Sequence, residues 1–143
     1  MPSRVGQDPG MADDPLSVVK AAYAAFAAGD LPTVLGLIDP EAVWIETDAE
    51  ALPVRGTFVG PEAVAQNVFA AVPDHWDSFE IVPEAYFNDG ETVIARGRVR
   101  ATARSTGASM DAAYVHVFTV RNGKIVRLTN HHDTAVWRET LGR

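Results

Sequence analysis

The order of apolar and polar residues predicts helices in the first half of the chain. In three segments, apolar residues recur every three or four positions, which is the period of a helix with one buried face. These segments open at Asp14-Pro15, Asp30 and Gly60-Pro61, where an N-cap acid or a proline at the first helical position suits a helix start. The residues that we expect to end the three helices are Gly29, Asp39-Pro40 and Pro73.

The second half of the chain alternates in the manner of β-strands. Thr92–Ala103 places small apolar residues on one face, which we expect to point inward, and three arginines on the other face. Phe79–Phe87 forms the preceding strand and ends at the tight turn Asn88-Asp89-Gly90. Two shorter strands are predicted in the first half, at Ala42–Thr47 and Thr57–Val59.

A β-hairpin is predicted near the C-terminus. Two runs rich in β-branched and aromatic residues flank Asn122-Gly123, the dipeptide preferred in type I′ turns. Alternation places His116 on the same face as Tyr114 and Phe118, and a bulge in the second strand would decide which of its two adjacent histidines faces inward. Without a bulge, the side chains on one face of the second strand are His131 and Asp133, and His132 lies on the other.

Helices segregated from a mostly antiparallel sheet define an α+β domain. We expect a cone-shaped, curved sheet wrapped around three N-terminal-half helices, with a cavity at its open end. Residues 14–143 form this single domain. Residues 1–13 are rich in Pro, Gly, Asp and Ser without an apolar period, and are predicted to be a flexible arm.

Composition and charge exclude several classes of function. The net charge of −7 argues against a nucleic-acid partner and against an anionic membrane surface. No apolar run approaches the roughly 20 residues of a membrane span. The absence of cysteine excludes disulfides, thiolate catalysis and cysteine-ligated metals. We therefore expect a cytoplasmic protein that acts on small molecules, with neither a cofactor nor a metal.

Several short sequence segments resemble those of the SnoaL-like branch of the nuclear transport factor 2 superfold. This branch includes polyketide cyclases, ketosteroid isomerases and limonene epoxide hydrolases. The resemblance spans Pro15 to Trp137, almost the whole chain. It implies a cystatin-like α+β roll, and members commonly dimerise through the sheet. The segments on which the resemblance rests are Ala24–Asp30, Ala42-Val43-Trp44, Gly56–Glu62 and Asp133-Thr134-Ala135.

The resemblance also implies roles for individual residues. Asp133 matches the acid/base aspartate of polyketide cyclases, and Glu46 approximately matches the carboxylate base of ketosteroid isomerases. Tyr23 falls near the aromatic residue of helix one in cyclases. The tyrosine–acid oxyanion pair of the isomerases and the Asp-Arg-Asp set of the epoxide hydrolases have no match in this sequence.

The residue types themselves suggest acid/base chemistry. A histidine paired with a carboxylate can abstract a proton next to a carbonyl, so Asp133 with His116 or His131 is the first candidate pair and Glu46 the alternative base. Asp133 could instead cap the turn that begins at Thr134, and His116 could be a core residue. Glu46 shares a face with Trp44, so its burial would require a partner, for which Arg55 is the candidate.

The prediction is a cofactor-free enzyme that cyclises or isomerises a hydrophobic carbonyl compound and assembles as a homodimer through its sheet face. The alternative is a non-catalytic binding or interaction module with the same cavity. Aromatic side chains would line that cavity, although aromatics in small domains are usually core residues. The expected ligand-binding residues are Tyr23, Phe26, Trp44, Phe58, Phe69 and Trp76.

Overall fold

The computed structural model describes residues 14–143, and the predicted arm over residues 1–13 lies outside the described residues. Along the described part of the chain, helices precede the first strand, separate the second strand from the third, and follow the last strand. The helical elements are α1 (Pro15–Ala27), α2 (Leu31–Gly36), α3 (Pro61–Val64), a π-helical turn (Ala65–Phe69), α4 (Ala71–His75) and α5 (Thr134–Leu141). The strands are β1 (Ile38–Glu46), β2 (Gly56–Val59), β3 (Trp76–Asp89), β4 (Thr92–Ala103), β5 (Ser109–Arg121) and β6 (Lys124–His132).

One curved, open sheet carries all six strands in the order β2-β1-β6-β5-β4-β3. All neighbours pair antiparallel except β1 and β6, which run parallel. Helix α1 packs across the concave face formed by β3 to β6. The predicted α+β fold is confirmed, and the parallel contact brings the end of β1 beside the end of β6.

The first two helices begin where their capping residues predict. The Asp14 side chain accepts a hydrogen bond from the Ser17 backbone N–H at 3.1 Å, and the Asp30 side chain accepts one from the Thr33 N–H at 3.2 Å. Each of these bonds satisfies an N–H group that the first helical turn cannot pair internally. The caps therefore define where α1 starts, and α1 carries the first aromatic side chain of the cavity.

The predicted third helix is broken into shorter pieces. A π-helical turn separates α3 from α4, and β3 starts at Trp76, earlier than the predicted Phe79. The extra residue of a π-turn rotates the following side chains about the helix axis. This local change presents Phe69 to the interior of the cone.

The hairpin forms as predicted, and it contains a bulge. Asn122 and Gly123 both have positive φ angles, of 53° and 76°, as a type I′ turn requires. The pairing of β5 with β6 shifts by one residue between Arg127, opposite Thr119, and Ile125, opposite Val120. The extra residue reverses the alternation along the rest of β6, so the residues that face inward after it are Leu128, Asn130 and His132.

None of the helices in the described part of the chain is long and apolar enough to cross a membrane. Two groups of buried side chains fill the concave side of the sheet. One lies under α1 and α2, and the other lies near α5 and includes Trp76, Tyr114 and Trp137. Between them a cavity remains.

Candidate active site

The cavity has a volume of about 120 Å³ and a mostly apolar wall. Its lining residues come from α1, the π-helical turn, the concave face of the sheet and α5. The aromatic residues of the wall are Tyr23, Phe26, Trp44, Phe69, Trp76, Phe79, Phe118 and Trp137. The other polar residues of the wall are Glu46, His116, Asn130 and His132.

Glu46 is the centre of the polar part of the wall. It is 5% exposed, and its two carboxyl oxygens face donors on three different side chains. Oε2 accepts from Trp44 Nε1 at 2.7 Å, and Oε1 accepts from Asn130 Nδ2 at 3.1 Å. His132 Nε2 lies 3.4 Å from Oε1. The predicted placement of Glu46 on one face with Trp44 is therefore confirmed, and both side chains are buried.

His132 reaches Glu46 because of the parallel pairing of β1 with β6 and the bulge in β6. Its side chain is 6% exposed, as is that of Glu46. Its ring packs against the Trp137 indole, with ring centroids 4.4 Å apart. The interaction with Glu46 holds the ring by Nε2, while α5 covers its other side.

Tyr23 and His116 form a second polar pair. The Tyr23 hydroxyl lies 2.6 Å from His116 Nδ1, and the two rings are stacked at 10° with centroids 5.8 Å apart. Tyr114 and Phe118 surround the histidine ring. The predicted placement of His116 with Tyr114 and Phe118 on the inner face of β5 is confirmed, and this face meets α1 at Tyr23.

Burial determines the charge of this second pair. Loss of water contact, together with the nearby His132, lowers the pKa of His116 to about 3, so the ring is neutral at pH 7. Burial likewise raises the pKa of Tyr23 well above its ordinary value, and the neighbouring Tyr114 adds to the rise. Tyr23 therefore keeps its proton. Since a general base works best with a pKa near the working pH, His116 is better suited to hydrogen bonding than to proton abstraction.

The structure contradicts four of the expected placements. Asp133 is exposed, and its side chain caps α5 by accepting from the Val136 N–H at 3.3 Å. His131 is exposed because the bulge turns it outward. Arg55 is exposed and is not among the partners of Glu46. Phe58 packs against the core cluster below α1 and does not line the cavity.

The other five expected aromatic residues do line the cavity: Tyr23, Phe26, Trp44, Phe69 and Trp76. Sequence reasoning missed the lining residues Asn130 and Trp137, and it left open whether His131 or His132 faces inward. Asn130 and His132 depend on the bulge, which no turn residue within β6 signals. Trp137 lies on a helix that is longer than the single turn expected there. A capping aspartate followed by an apolar i, i+3 spacing was the available signal.

Within residues 14–143, no three His, Asp or Glu side chains are grouped so that they could hold a metal ion. The site thus offers a carboxyl group with three donors, a neutral histidine and a protonated tyrosine around an apolar space. Such a set can take up and return protons.

Comparison with known proteins supports the fold and the family. The sequence profile of the SnoaL-like domain matches residues 19–128. No curated protein sequence matches the chain. An NTF2-like protein from Burkholderia thailandensis is similar at 31% identity, with a TM-score of 0.84 over 89% of this chain and 96% of that one.

Two further solved structures share the fold. TerC, co-crystallised with polyporic acid, has 22% identity and a TM-score of 0.82 over 90% of this chain and 98% of that one. IdmH, a candidate polyketide cyclase from Streptomyces antibioticus, has 25% identity and a TM-score of 0.74 over 91% of this chain and 99% of that one.

Proposed function

This chain belongs to the SnoaL-like domain family, and on that basis we propose that it is an enzyme that moves protons on a hydrophobic carbonyl compound. The observation that carries the proposal is a buried carboxyl group, Glu46, in the wall of an otherwise apolar cavity. Buried ionisable groups are costly to keep and are concentrated at functional sites. The reaction needs no cofactor.

Glu46 is the proposed base. It is the only carboxyl group among the described residues that line the cavity. Its donors Trp44, Asn130 and His132 fix its position, so that little reorganisation is needed when a substrate arrives. A carboxylate held in this way removes a proton from the carbon next to a carbonyl group and leaves an enolate.

Tyr23 is the proposed partner of the carbonyl oxygen. When His116 Nδ1 carries the hydrogen, it donates to the Tyr23 oxygen, and the Tyr23 O–H is then free to donate to the substrate. Because burial raises its pKa, Tyr23 stabilises the developing enolate by a hydrogen bond and retains its proton. His116 is thus a positioning residue for Tyr23.

The enolate then has two outcomes that balance without any further reactant. In an isomerisation, Glu46 returns its proton to another carbon of the conjugated system. In an aldol cyclisation, the enolate carbon bonds to a second carbonyl carbon of the same molecule, and the new alkoxide takes the proton. The resemblance to a candidate polyketide cyclase supports a cyclic product.

Exchange of protons α to a carbonyl tests this proposal with a simple probe. Cyclohexanone in D₂O is followed by NMR, and the wild-type protein should accelerate the loss of the α-proton signal. Glu46→Gln should reduce that acceleration by roughly 10²- to 10⁴-fold, the usual contribution of a general base. Glu62→Gln is the matched control, because Glu62 is exposed at the start of α3.

Circular dichroism and thermal unfolding verify that both variants are folded. Equal exchange rates for wild-type and folded Glu46→Gln protein would refute the role of Glu46. If cyclohexanone binds but wild-type protein gives no acceleration at all, the chain is the non-catalytic ligand-binding module of the alternative hypothesis.

We also propose that the chain forms a homodimer through the outer face of the sheet. Two apolar side chains are exposed on β3 and β5, Phe87 at 56% and Val115 at 36%. Light scattering coupled to size-exclusion chromatography tests this proposal, and a monomer at all concentrations would refute it. The cytoplasmic location stays a prediction from composition.

A further inference from the structure

The helical segment between β2 and β3 contains a π-helical turn, and this turn carries a phenylalanine of the cavity wall. The Ala70 N–H donates to the Ala65 carbonyl oxygen at 3.0 Å, so the turn holds one residue more than an α-helical turn. Val64, just before the turn, is fully buried. In a regular α-helix, Phe69 would lie about 140° around the axis from Val64. The wider turn reduces this angle and brings Phe69 into the wall.

The Phe69 ring packs against two other aromatic rings of the wall. Its centroid lies 5.8 Å from that of Phe26, at an interplanar angle of 48°, and 5.9 Å from that of Trp44, at 86°. Both distances fall in the range of favourable aromatic pairs. The Trp44 indole also donates to Glu46. Phe69 is therefore held in place by two aromatic contacts and lies one ring away from the proposed base.

The size of the cavity leaves room for one ring. Its volume of about 120 Å³ is smaller than the roughly 150 Å³ cavity that holds benzene in another protein. The π-helical turn and α4 contribute four residues to the wall, Val68, Phe69, Ala71 and Val72. Phe69 is the largest of them, so it takes the most space from the cavity. Single π-helical turns are rare and frequently occur at functional sites.

We propose that the cavity admits a carbonyl compound with one six-membered ring, and that Phe69 excludes a second, fused ring. This inference rests on the proposed function, because the ring belongs to the ketone on which Glu46 acts. It is the ring of the substrate in an isomerisation and that of the product in a cyclisation. A phenyl group contains more carbons than a second fused ring adds. Replacing Phe69 by alanine therefore frees enough space for that second ring.

The order in which wild-type protein binds two ketones tests the size limit. Cyclohexanone and 2-decalone differ by a second fused ring. In an apolar cavity with room to spare, the additional buried carbons should tighten binding roughly 10²-fold. The inference predicts the reverse order, with cyclohexanone bound more tightly. The indole N–H signals in ¹H–¹⁵N spectra report both Kd values, since all three tryptophans of the chain, Trp44, Trp76 and Trp137, line the cavity.

Phe69→Ala should lower the Kd of 2-decalone roughly tenfold or more relative to that of cyclohexanone, because the second ring then has space to bury its apolar surface. Phe69→Leu frees less space and should shift the ratio of the two Kd values in the same direction by a smaller factor. Phe58→Ala is the matched control, because Phe58 packs against the core cluster without lining the cavity. It should leave the ratio unchanged, and the same spectra verify that each variant is folded.

Tighter binding of 2-decalone by wild-type protein would overturn this inference, and so would an unchanged ratio in the folded Phe69 variants. If proton exchange on cyclohexanone is still accelerated in that case, the proposed function stands. Conversely, cyclohexanone bound in preference to 2-decalone without accelerated exchange would support the size limit and overturn the proposed function. Failure of both ketones to bind folded wild-type protein would overturn the two together.

Discussion

The burial of His116 predicts a specific loss of stability in mild acid. His116 is 7% exposed as a whole residue, and burial is the main cause that lowers its pKa from 6.5 to about 3. Between these two values the unfolded chain binds a proton that the folded chain does not bind. Stability is therefore at its full value above pH 6.5 and decreases as the pH falls through that value toward 3.

The size of this effect follows from the two pKa values. At pH 5 the unfolded-state histidine is almost fully protonated while the folded-state one is neutral. The free energy of unfolding should then be lower than at pH 7 by about 2 kcal/mol, from 1.36 kcal/mol per pH unit over the interval below pH 6.5. Urea denaturation at the two pH values measures this difference.

His116→Gln removes the titrating group, keeps a hydrogen-bonding side chain opposite Tyr23, and should flatten the stability curve between pH 7 and pH 5. His131→Gln is the control on the same hairpin, because His131 is exposed. Equal free energies of unfolding of the wild-type protein at pH 7 and pH 5 would refute this role of His116. Full retention of the pH dependence by His116→Gln would refute it as well.

Two further predictions concern the residues around Glu46 and the start of α5. Trp44→Phe removes the donor 2.7 Å from Glu46 Oε2 and should lower the free energy of unfolding by about 2 kcal/mol, since a buried acceptor is left unpaired; a loss in urea denaturation near zero would contradict this. Asp133→Ala should cost about 1 kcal/mol of stability as a lost helix cap, whereas Asp133→Asn should cost little. Both should exchange cyclohexanone protons at the wild-type rate, and a folded variant with reduced exchange would show that Asp133 takes part in the chemistry.

Local patterns predicted most of the fold because the determining interactions are short in sequence. Asp14 and Asp30 each cap the helix that follows them by accepting from a backbone N–H three residues further along, and Asn122-Gly123 forms its turn from its own backbone angles. Strict alternation over Thr92–Ala103 predicted the buried face of β4. In each case the sequence signal and the structure lie within a few residues of each other.

The candidate site was less predictable because it depends on single-residue shifts. One extra residue in β6 exchanges the facing of His131 and His132, and neither residue carries a signal for it. Asp133 had two roles consistent with its sequence context, and the structure shows the capping role. Glu46 was identified because alternation on β1 ties it to Trp44 at i−2, which is a local relation.

Trapping the base with a reactive substrate analogue reports directly which side chain meets the carbon next to the carbonyl. Incubation with 2-bromocyclohexanone should let a Glu46 carboxylate oxygen displace bromide and form an ester. Peptide mass spectrometry should then find one added oxocyclohexyl group on the peptide that contains Glu46, with parallel loss of proton exchange. Equal labelling of wild-type and Glu46→Gln protein, or labelling confined to exposed side chains, would contradict the account.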